Sequence, residues 1–372
     1  MYAGGMNADS FSLAGRSAVV EGYRYRLPFT APVRVGGDAH DHRDGLLVRI
    51  CAGDREGWGD VAPLPGFSET SLASAIKACR RWAEAETVRD ARVEWGDGRA
   101  SIHRPGPALP PSAAFGVEQA LLTLAAHPHR KGIVDVLGEP RRRSIPINAL
   151  TSAATDAVLD DARALCDAGY ETIKIKVGRV DLETEAQRIR QVQDAVGADV
   201  AVRLDANRAW TPAAARRMAN ALGKPPIAYV EEPLADPSGL PSLVVETGWR
   251  VALDETVREI APTDLSDHAY ATAIVLKPSL MGLDASLRWM DAAADRGIRV
   301  VLSSAYESGV GLRMLIALAA RTPTTEAAGF GPYRRLAADV LAPRLPLDGP
   351  SVDIAAIDAA RPMAMDRLDR VF

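Results

Sequence analysis

The segment Thr172-Ile173-Lys174-Ile175-Lys176-Val177-Gly178 carries the pattern from which the fold is predicted. Its alternation of apolar and basic residues predicts a strand, because neighbouring side chains of a strand point to opposite faces. Lys174 and Lys176 therefore share one face. On a surface strand they would simply be solvated, and taken alone that interpretation is favoured, because lysine is rarely buried. The residues that follow along the chain instead favour a strand whose lysine face points inward.

Seven further segments from residue 144 onward are typical of strands, and stretches of helix length separate them. They are 145–150, 200–207, 227–233, 250–254, 271–278, 300–306 and the weaker 327–330. Strands that alternate with helices over this length predict a parallel, TIM-like α/β barrel rather than an open sheet. In such a barrel the face that carries the two lysines would point inward.

The 372 residues suffice for a barrel and a smaller companion domain. We expect a loose N-terminal tail over 1–17, with Met6 as an alternative start. An α+β domain should follow over 18–138, the barrel over 139–345 and a C-terminal segment over 346–372. We expect neither a signal peptide nor a membrane span, because no apolar run follows basic residues near Met1 and no uninterrupted apolar run reaches membrane-spanning length.

The charge pattern excludes several classes of partner. Lys and Arg total 44 against 48 Asp and Glu, a net charge of −4, and neither sign forms blocks. We therefore expect neither nucleic acid nor a membrane surface as a partner, but a small molecule. Three cysteines without paired spacing argue against a disulfide framework and for a reducing, cytoplasmic location. The six histidines lie outside every predicted strand end, which disfavours a histidine-based triad or a zinc hydrolase.

Three acids stand at or near the ends of consecutive predicted strands: Asp205, Glu231 and Asp254. The carboxyl ends of barrel strands meet at one mouth, where barrel active sites lie. Three carboxylates provide the hard oxygen ligands that Mg²⁺ prefers. The alternative, that each acid caps the next helix, is weaker for three successive strands, because like charges that face one mouth repel each other.

Two lysines are predicted to flank this group of acids from opposite sides of the ring. Lys176 ends the second strand and Lys277 ends the sixth. A lysine next to another cation gives up its proton more readily, and Lys174 is that neighbour for Lys176. Lysines around a divalent ion suggest proton abstraction beside a carboxylate, with the metal holding the enolate that results.

Further polar residues share the predicted mouth. Arg203 could meet a substrate carboxylate or balance the acids, and the sequence leaves both alternatives open. Asn207 shares the face of Asp205. Ser303 and Ser304 precede a glycine-rich helix start that could bind a carboxylate.

Four separated segments complete the pattern: GWGDVAPLPGFS (57–68), LDANRAW (204–210), VEEPL (230–234) and SSAYESGVGL (303–312). Together with the lysines and acids, they resemble the muconate-lactonizing subgroup of the enolase superfamily over about residues 18–345. The resemblance implies a (β/α)7β barrel with an N-terminal capping domain that the C-terminal segment completes. It also implies that Lys176 is the acid/base, that Lys277 stabilises the enolate, and that the three acids hold Mg²⁺, with Mn²⁺ as a substitute. The loop that contains Phe67 would close over the substrate.

Within that subgroup, the resemblance implies dehydration of 2-succinyl-6-hydroxy-2,4-cyclohexadiene-1-carboxylate to o-succinylbenzoate in menaquinone biosynthesis. Racemisation of N-succinylamino acids, another epimerisation or a cycloisomerisation is the alternative. Gly329-Phe-Gly-Pro332 stands where dipeptide epimerases carry an Asp-x-Asp. Tyr306 departs from the expected small or aliphatic residue. A metal-free binding protein on a decayed barrel is disfavoured because every expected catalytic position is filled. A monomer and a homo-oligomer both remain open.

Overall fold

The computed structural model describes residues 9–96, 99–126, 132–223, 227–359 and 361–372. Its strands are β1 (Asp9–Ser12), β2 (Ala18–Val35), β3 (Asp38–Ala52), β4 (Arg55–Val61), β5 (Arg92–Gly96), β6 (Arg99–His103), β7 (Ser144–Pro146), β8 (Ala149–Ser152), β9 (Thr172–Lys176), β10 (Ala201–Asp205), β11 (Ile227–Glu231), β12 (Val251–Leu253), β13 (Ala271–Leu276), β14 (Arg299–Leu302), β15 (Ser351–Asp353) and β16 (Leu368–Arg370). Its helices are α1 (Leu72–Ala83), α2 (Pro111–Ala125), α3 (Val158–Asp167), α4 (Leu182–Val196), α5 (Pro212–Leu222), α6 (Leu240–Thr247), α7 (Leu283–Ala294), α8 (Gly309–Arg321) and α9 (Ile354–Asp358).

An antiparallel sheet in the order β16-β2-β3-β4 forms the centre of the N-terminal part. Along β2, alternate side chains such as Tyr23, Tyr25 and Leu27 are buried, as the period of a half-buried strand requires. Helix α2 packs on β4, and a smaller sheet in the order β1-β5-β6 lies alongside. This part of the chain is therefore an α+β unit.

The N-terminal segment differs from the sequence prediction of a loose tail over 1–17. From Asp9 onward it forms β1, which pairs antiparallel with β5, so that Phe11 lies opposite Val93. Phe11 and Leu13 are both buried. The prediction was wrong for residues 9–17 because only the pairing with β5, a strand 80 positions away, orders a short segment rich in small residues. Residues 1–8, Met6 among them, lie outside the described residues.

Seven parallel strands, β8 to β14, form a curled sheet in sequence order. Helices follow most of them, and the outward side chains pack against those helices in the main core. The inward side chains form a second, smaller apolar cluster: Tyr229, Ala252, Ala273, Val275 and Val301. The predicted α/β barrel architecture is thus confirmed.

Residues 327–330 close the ring between β14 and β8 through single bridges rather than a continuous strand. Ala328 pairs with Ile147, and Gly329 pairs with Ser303. The amide of Asn148 donates to the Ala328 carbonyl at 2.9 Å, and the amide of Gly329 donates to Leu302 at 2.8 Å. The first predicted strand, 145–150, is split, since β7 pairs antiparallel with β15 and only β8 enters the barrel sheet.

The C-terminal segment returns to the N-terminal sheet, where β16 pairs with β2. Two buried carboxylates of the N-terminal part also reach the first residues of barrel helices. Glu118 Oε2 accepts from the amides of Leu283 and Asp284 at 2.9 and 3.0 Å at the start of α7. Asp60 Oδ2 accepts from the amide of Ser308 at 2.9 Å at the start of α8. Because amides at a helix start lack intrahelical partners, these bonds dock the cap on the barrel.

Within the described ranges, no helix combines the length and the apolarity that a bilayer crossing requires.

Candidate active site

The strand register brings the predicted residues to one mouth. In the sheet Asp205 lies opposite both Lys176 on β9 and Glu231 on β11, and each of the three is the last residue of its strand. Asp254 follows β12 directly, and Lys277 follows β13. Five neighbouring strands therefore deliver five charged side chains to the same rim.

Lysine ammonium groups lie between the acids. Lys174 Nζ is 2.9 Å from Asp205 Oδ2 and 2.8 Å from Glu231 Oε1. Lys176 Nζ is 3.2 Å from Asp205 Oδ2. Lys277 Nζ forms an ion pair with Asp254 Oδ2 on the other side of the group. The acid side chains are at most 3% exposed, so these contacts form in a largely desolvated rim.

Two oxygens of the three predicted metal-binding acids are buried without a hydrogen-bond partner, namely Asp205 Oδ1 and Glu231 Oε2. A buried charged oxygen without a partner is costly, and a bound cation would remove that cost. As the side chains are placed, no three His, Cys, Asp or Glu residues of the described segments converge on a point that would hold an ion. Lysines hold the second oxygen of Asp205 and of Glu231 and one oxygen of Asp254, so these side chains would have to move for all three acids to bind one cation. The donor set itself, three carboxylates with two oxygens unpaired, fits Mg²⁺.

Electrostatic interactions and burial shift the pKa values of Asp205 and Glu231 in opposite directions. Burial tends to raise the pKa of Asp205, but the ammonium groups of Lys174 and Lys176 outweigh it and hold that pKa below its usual value. Burial, together with the charges of Asp205 and Asp254, raises the pKa of Glu231. Burial opposes the charged form of Lys174, yet Asp205 and Glu231 raise its pKa well above the ordinary value. Lys174 therefore stays an ammonium.

Glu232 positions the segment that carries Asp254. It is fully buried, and its backbone has a φ of 39°, which turns the chain out of the strand. Its carboxylate accepts from the amides of Asp254 and Thr256 at 3.0 and 2.8 Å, and Arg208 Nε donates to it at 3.2 Å.

Asn207 and Glu255 extend the mouth beyond the predicted acids. Asn207 Oδ1 accepts from Lys176 Nζ at 3.0 Å, and Asn207 Nδ2 lies 3.4 Å from Glu255 Oε1. Glu255 Oε2 is buried without a partner, and burial and the charge of Asp254 raise the pKa of Glu255. The sequence prediction missed Glu255, although the Asp254-Glu255 pair repeats the acidic pair at 231 and 232.

Arg203 lies below the acids, inside the barrel. Its Nη1 donates to the Ala327 carbonyl at 2.8 Å, and its Nη2 pairs with Glu326 at 2.5 Å. The guanidinium carbon lies 5.0 Å from the ring centre of Tyr229, while Nε has no partner. These contacts balance the charge of Glu326 rather than that of the mouth acids. A role of Arg203 in substrate binding stays a prediction.

The roles of the remaining predicted substrate residues stay predictions. Ser303 is half-buried beside Gly329, where a Cβ would come within 2.7 Å of Ser303 Oγ. Ser304 is buried, and its Oγ has no partner. Phe67 is 37% exposed, and its carbonyl accepts from Arg258 Nη1 at 3.2 Å, which joins the cap to the segment after Asp254.

Leu150 is an apolar wall of the mouth that the sequence prediction missed. It lies opposite Lys174 in the register of β8 and β9, and therefore shares the inward face. Its side chain is nonetheless 52% exposed. An inward residue can be exposed only where the barrel interior is open, so the interior is open beside β8 at the level of Lys174. The signal in the sequence was the two-residue period of the strand, which puts Leu150 on the same inward face as Ser152.

Comparisons with known proteins agree with this geometry. Residues 157–356 match the family described as enolase C-terminal domain-like, and residues 16–124 match the MenC N-terminal domain. The o-succinylbenzoate synthase of Citrobacter koseri is 35% identical over 83% of this chain and 89% of its own length. That of Klebsiella pneumoniae is 31% identical over 90% of this chain and 97% of its own length. The chain belongs to the o-succinylbenzoate synthase family of the enolase superfamily.

A solved o-succinylbenzoate synthase, from Thermosynechococcus elongatus and complexed with Mg in the active site, covers 86% of this chain and 95% of its own. It is 25% identical, with a TM-score of 0.65. The N-succinyl Arg/Lys racemase of Bacillus cereus is 18% identical with a TM-score of 0.77, and thus shares the fold. Family membership accounts for both the barrel and the capping domain.

Proposed function

We propose that Lys176, Lys277 and the acids Asp205, Glu231 and Asp254 carry out the o-succinylbenzoate synthase reaction in this chain. The observation that supports this assignment most directly is the order of charges around the mouth. Three acids on successive strands lie between lysines from the second and sixth strands, and two of the acids keep an unpaired buried oxygen. The pathway that consumes the product is menaquinone biosynthesis.

Lys176 is the base in this proposal. Its Nζ is held by Asp205 and Asn207, and at 30% its side chain is the most exposed of the three mouth lysines, so it can reach a substrate above the rim. As a neutral amine it takes the proton from the ring carbon that bears the carboxylate. The resulting ammonium then gives that proton to the hydroxyl on the neighbouring carbon as the C–O bond breaks. Water and an aromatic ring are the products.

Asp205, Glu231 and Asp254 would hold the metal. Mg²⁺, when bound, supplies Lewis-acid stabilisation of negative charge on the substrate carboxylate. Lys277, across the mouth from Lys176, contributes a second positive charge while the proton is on Lys176. The cap loop, defined here as residues 62–68, excludes water on the side of Phe67. Leu150 offers an apolar contact for the ring.

Racemisation is the second candidate, because the two lysines face the mouth from opposite sides. A base on each face of one carbon is what a 1,1-proton transfer needs. Lys277 is, however, held by Asp254 and is only 15% exposed, which favours an electrostatic role over a base.

The decisive experiment follows the loss of diene absorbance of the cyclohexadiene substrate, with Mg²⁺ and then with a chelator. Racemisation of N-succinylamino acids is measured in parallel. We expect rapid loss of absorbance that stops when the metal is removed. An inactive dehydration assay alongside active racemisation would reassign the substrate and leave the barrel and metal ligands in place.

A further inference from the structure

A buried arginine joins the cap to the mouth. Arg43 lies on β3 of the N-terminal sheet and is 3% exposed. Its nitrogens donate to backbone carbonyls on both sides of the domain boundary. On the cap side, Nη1 donates to Pro63 at 2.7 Å and Nη2 donates to Ala62.

On the barrel side, Arg43 contacts the strand-seven loop, defined here as residues 303–308. Nε donates to the Tyr306 carbonyl at 3.1 Å, and Nη2 lies 3.4 Å from the Ala305 carbonyl. The guanidinium, a planar group with donors at fixed angles, therefore sets the spacing between the cap loop and the strand-seven loop. A lysine offers one nitrogen and could not reach both loops.

Glu307 continues the contact toward Lys277. It is 1% exposed, and its Oε2 accepts from the Ala305 amide at 2.7 Å. Its Oε1 accepts from the hydroxyl of Ser279, which is fully buried and stands two residues after Lys277. A continuous series of hydrogen bonds thus runs from the cap loop through Arg43, Ala305 and Glu307 to the segment that carries Lys277.

We propose that Arg43 is a positioning residue for the dehydration. It fixes the closed cap loop against the strand-seven loop, and through Glu307 and Ser279 it sets the placement of Lys277. This inference rests on the proposed function in one respect, the role of Lys277. Its consequence is that cap closure and the position of the Lys277 ammonium are coupled, so the site is complete only when the cap is in place.

A double-mutant cycle between Arg43→Lys and Ser279→Ala tests the coupling. Each single variant should lower kcat by between about tenfold and a hundredfold, the size expected for misplacement of a reacting group, with KM changed less than about threefold. Because both substitutions break the same series, the double variant should lose little more than the worse single variant. Independent effects would instead multiply.

Arg334→Lys is the matched control. Arg334 also donates to backbone carbonyls, those of Leu347 and Gly349, and it contacts the hydroxyl of Tyr170, which stands just before β9 and therefore at the end of the barrel away from the mouth. The Arg334→Lys variant should lower the melting temperature and leave kcat unchanged. A loss of kcat in this control as large as in Arg43→Lys would overturn the proposal, because any arginine that joins two backbone segments would then have the effect.

Amide exchange gives a readout that does not need turnover. The amides of Leu280, Met281 and Gly282 donate to the carbonyls of Lys277 and Pro278. Arg43→Lys should speed their exchange several-fold. Unchanged exchange together with multiplicative kinetics would refute the role of this series of hydrogen bonds even if the wild-type chain is an active synthase.

Two other outcomes separate the proposal from the proposed function. If the wild-type chain is inactive, the proposed function fails while the exchange result still stands. If Arg43→Lys does not fold, Ser279→Ala must still lower kcat at constant KM, and an unchanged kcat would overturn the proposal.

Discussion

The barrel contains two layers of charged side chains that differ in how the oxygens of their acids are paired. At the mouth, Asp205 and Glu231 each keep a buried oxygen without a partner. At the floor, defined here as Arg203, Glu326 and Arg299, both oxygens of the acid are engaged: Glu326 Oε2 is 2.5 Å from Arg203 Nη2, and Oε1 is 2.6 Å from Arg299 Nη1. The mouth acids are at most 3% exposed and Glu326 is 15% exposed, but the pairing of their oxygens distinguishes their roles. An acid with all its oxygens paired stabilises the fold, whereas unpaired oxygens indicate a site that a ligand completes.

The largest effect should come from removing the base at the mouth. Lys176→Ala should lower kcat by about 10²–10⁴-fold, the usual contribution of general acid–base catalysis. The melting temperature should stay close to that of the wild type, because the side chain is 30% exposed. Diene absorbance and thermal unfolding are the measurements. A variant that retains more than about a hundredth of the wild-type rate would exclude Lys176 as the base.

The floor should respond in the opposite way. Glu326→Gln leaves two guanidinium groups without their counter-charge, and breaking a buried ion pair from one side costs about 3 kcal/mol. We expect that loss in the free energy of unfolding, measured with denaturant, and unchanged Mg²⁺ affinity in calorimetry. Asp156→Asn is the control, since Asp156 also pairs with an arginine, Arg188, but is 96% exposed. It should leave stability unchanged. A loss of Mg²⁺ affinity in Glu326→Gln would show that the two layers are not separate.

Bound Mg²⁺ should raise the free energy of unfolding through its contacts with the mouth acids, and the floor residues should not contribute to this increase. At a concentration a hundredfold above its Kd, a ligand specific for the native state adds about 2.7 kcal/mol. Glu231→Gln should abolish that increment without lowering the stability of the metal-free protein, because it removes a desolvated charge. Mg²⁺-dependent melting that persists in this variant would remove Glu231 from the ligand set.

The same site should show a pH dependence with a defined sign. Burial raises the pKa of Glu231, and only the ionised carboxylate binds a cation. Mg²⁺ affinity should therefore fall as the pH is lowered, beginning above the range in which an ordinary glutamate takes up a proton. Binding should also release protons, which calorimetry in buffers of different ionisation enthalpy detects. Proton release that is absent near neutral pH would contradict this assignment.

The sequence predicted the mouth better than its surroundings. Alternation placed Lys174 and Lys176 on one inward face, and the strand spacing brought Asp205 to them, because both signals are local. The burial of Leu13, the partner of Arg203 and the contacts of Arg43 depend on segments far away in the chain, and no local pattern encodes them. Tyr306 illustrates the limit: its ring packs 5.5 Å from that of Phe29 in the cap, a contact that no local signal specifies.

The smallest expected effect concerns the position of the cap loop, which should influence substrate binding without changing the barrel. Gly36 at the β2–β3 turn and Gly66 in the cap loop both have positive φ, and a Cβ on Gly36 would lie 2.6 Å from the Gly66 Cα. Gly36→Ala should therefore push the two loops apart. The adjacent Gly37 has a φ of +95° but open space around it, so Gly37→Ala adds only conformational strain, about 1 kcal/mol. Gly37→Ala should lose about that amount of stability and Gly36→Ala more, because of the added clash; only Gly36→Ala should also raise KM, by a few-fold, because Phe67 moves with the loop. Equal KM values in the two variants would show that the contact between the loops does not position the cap.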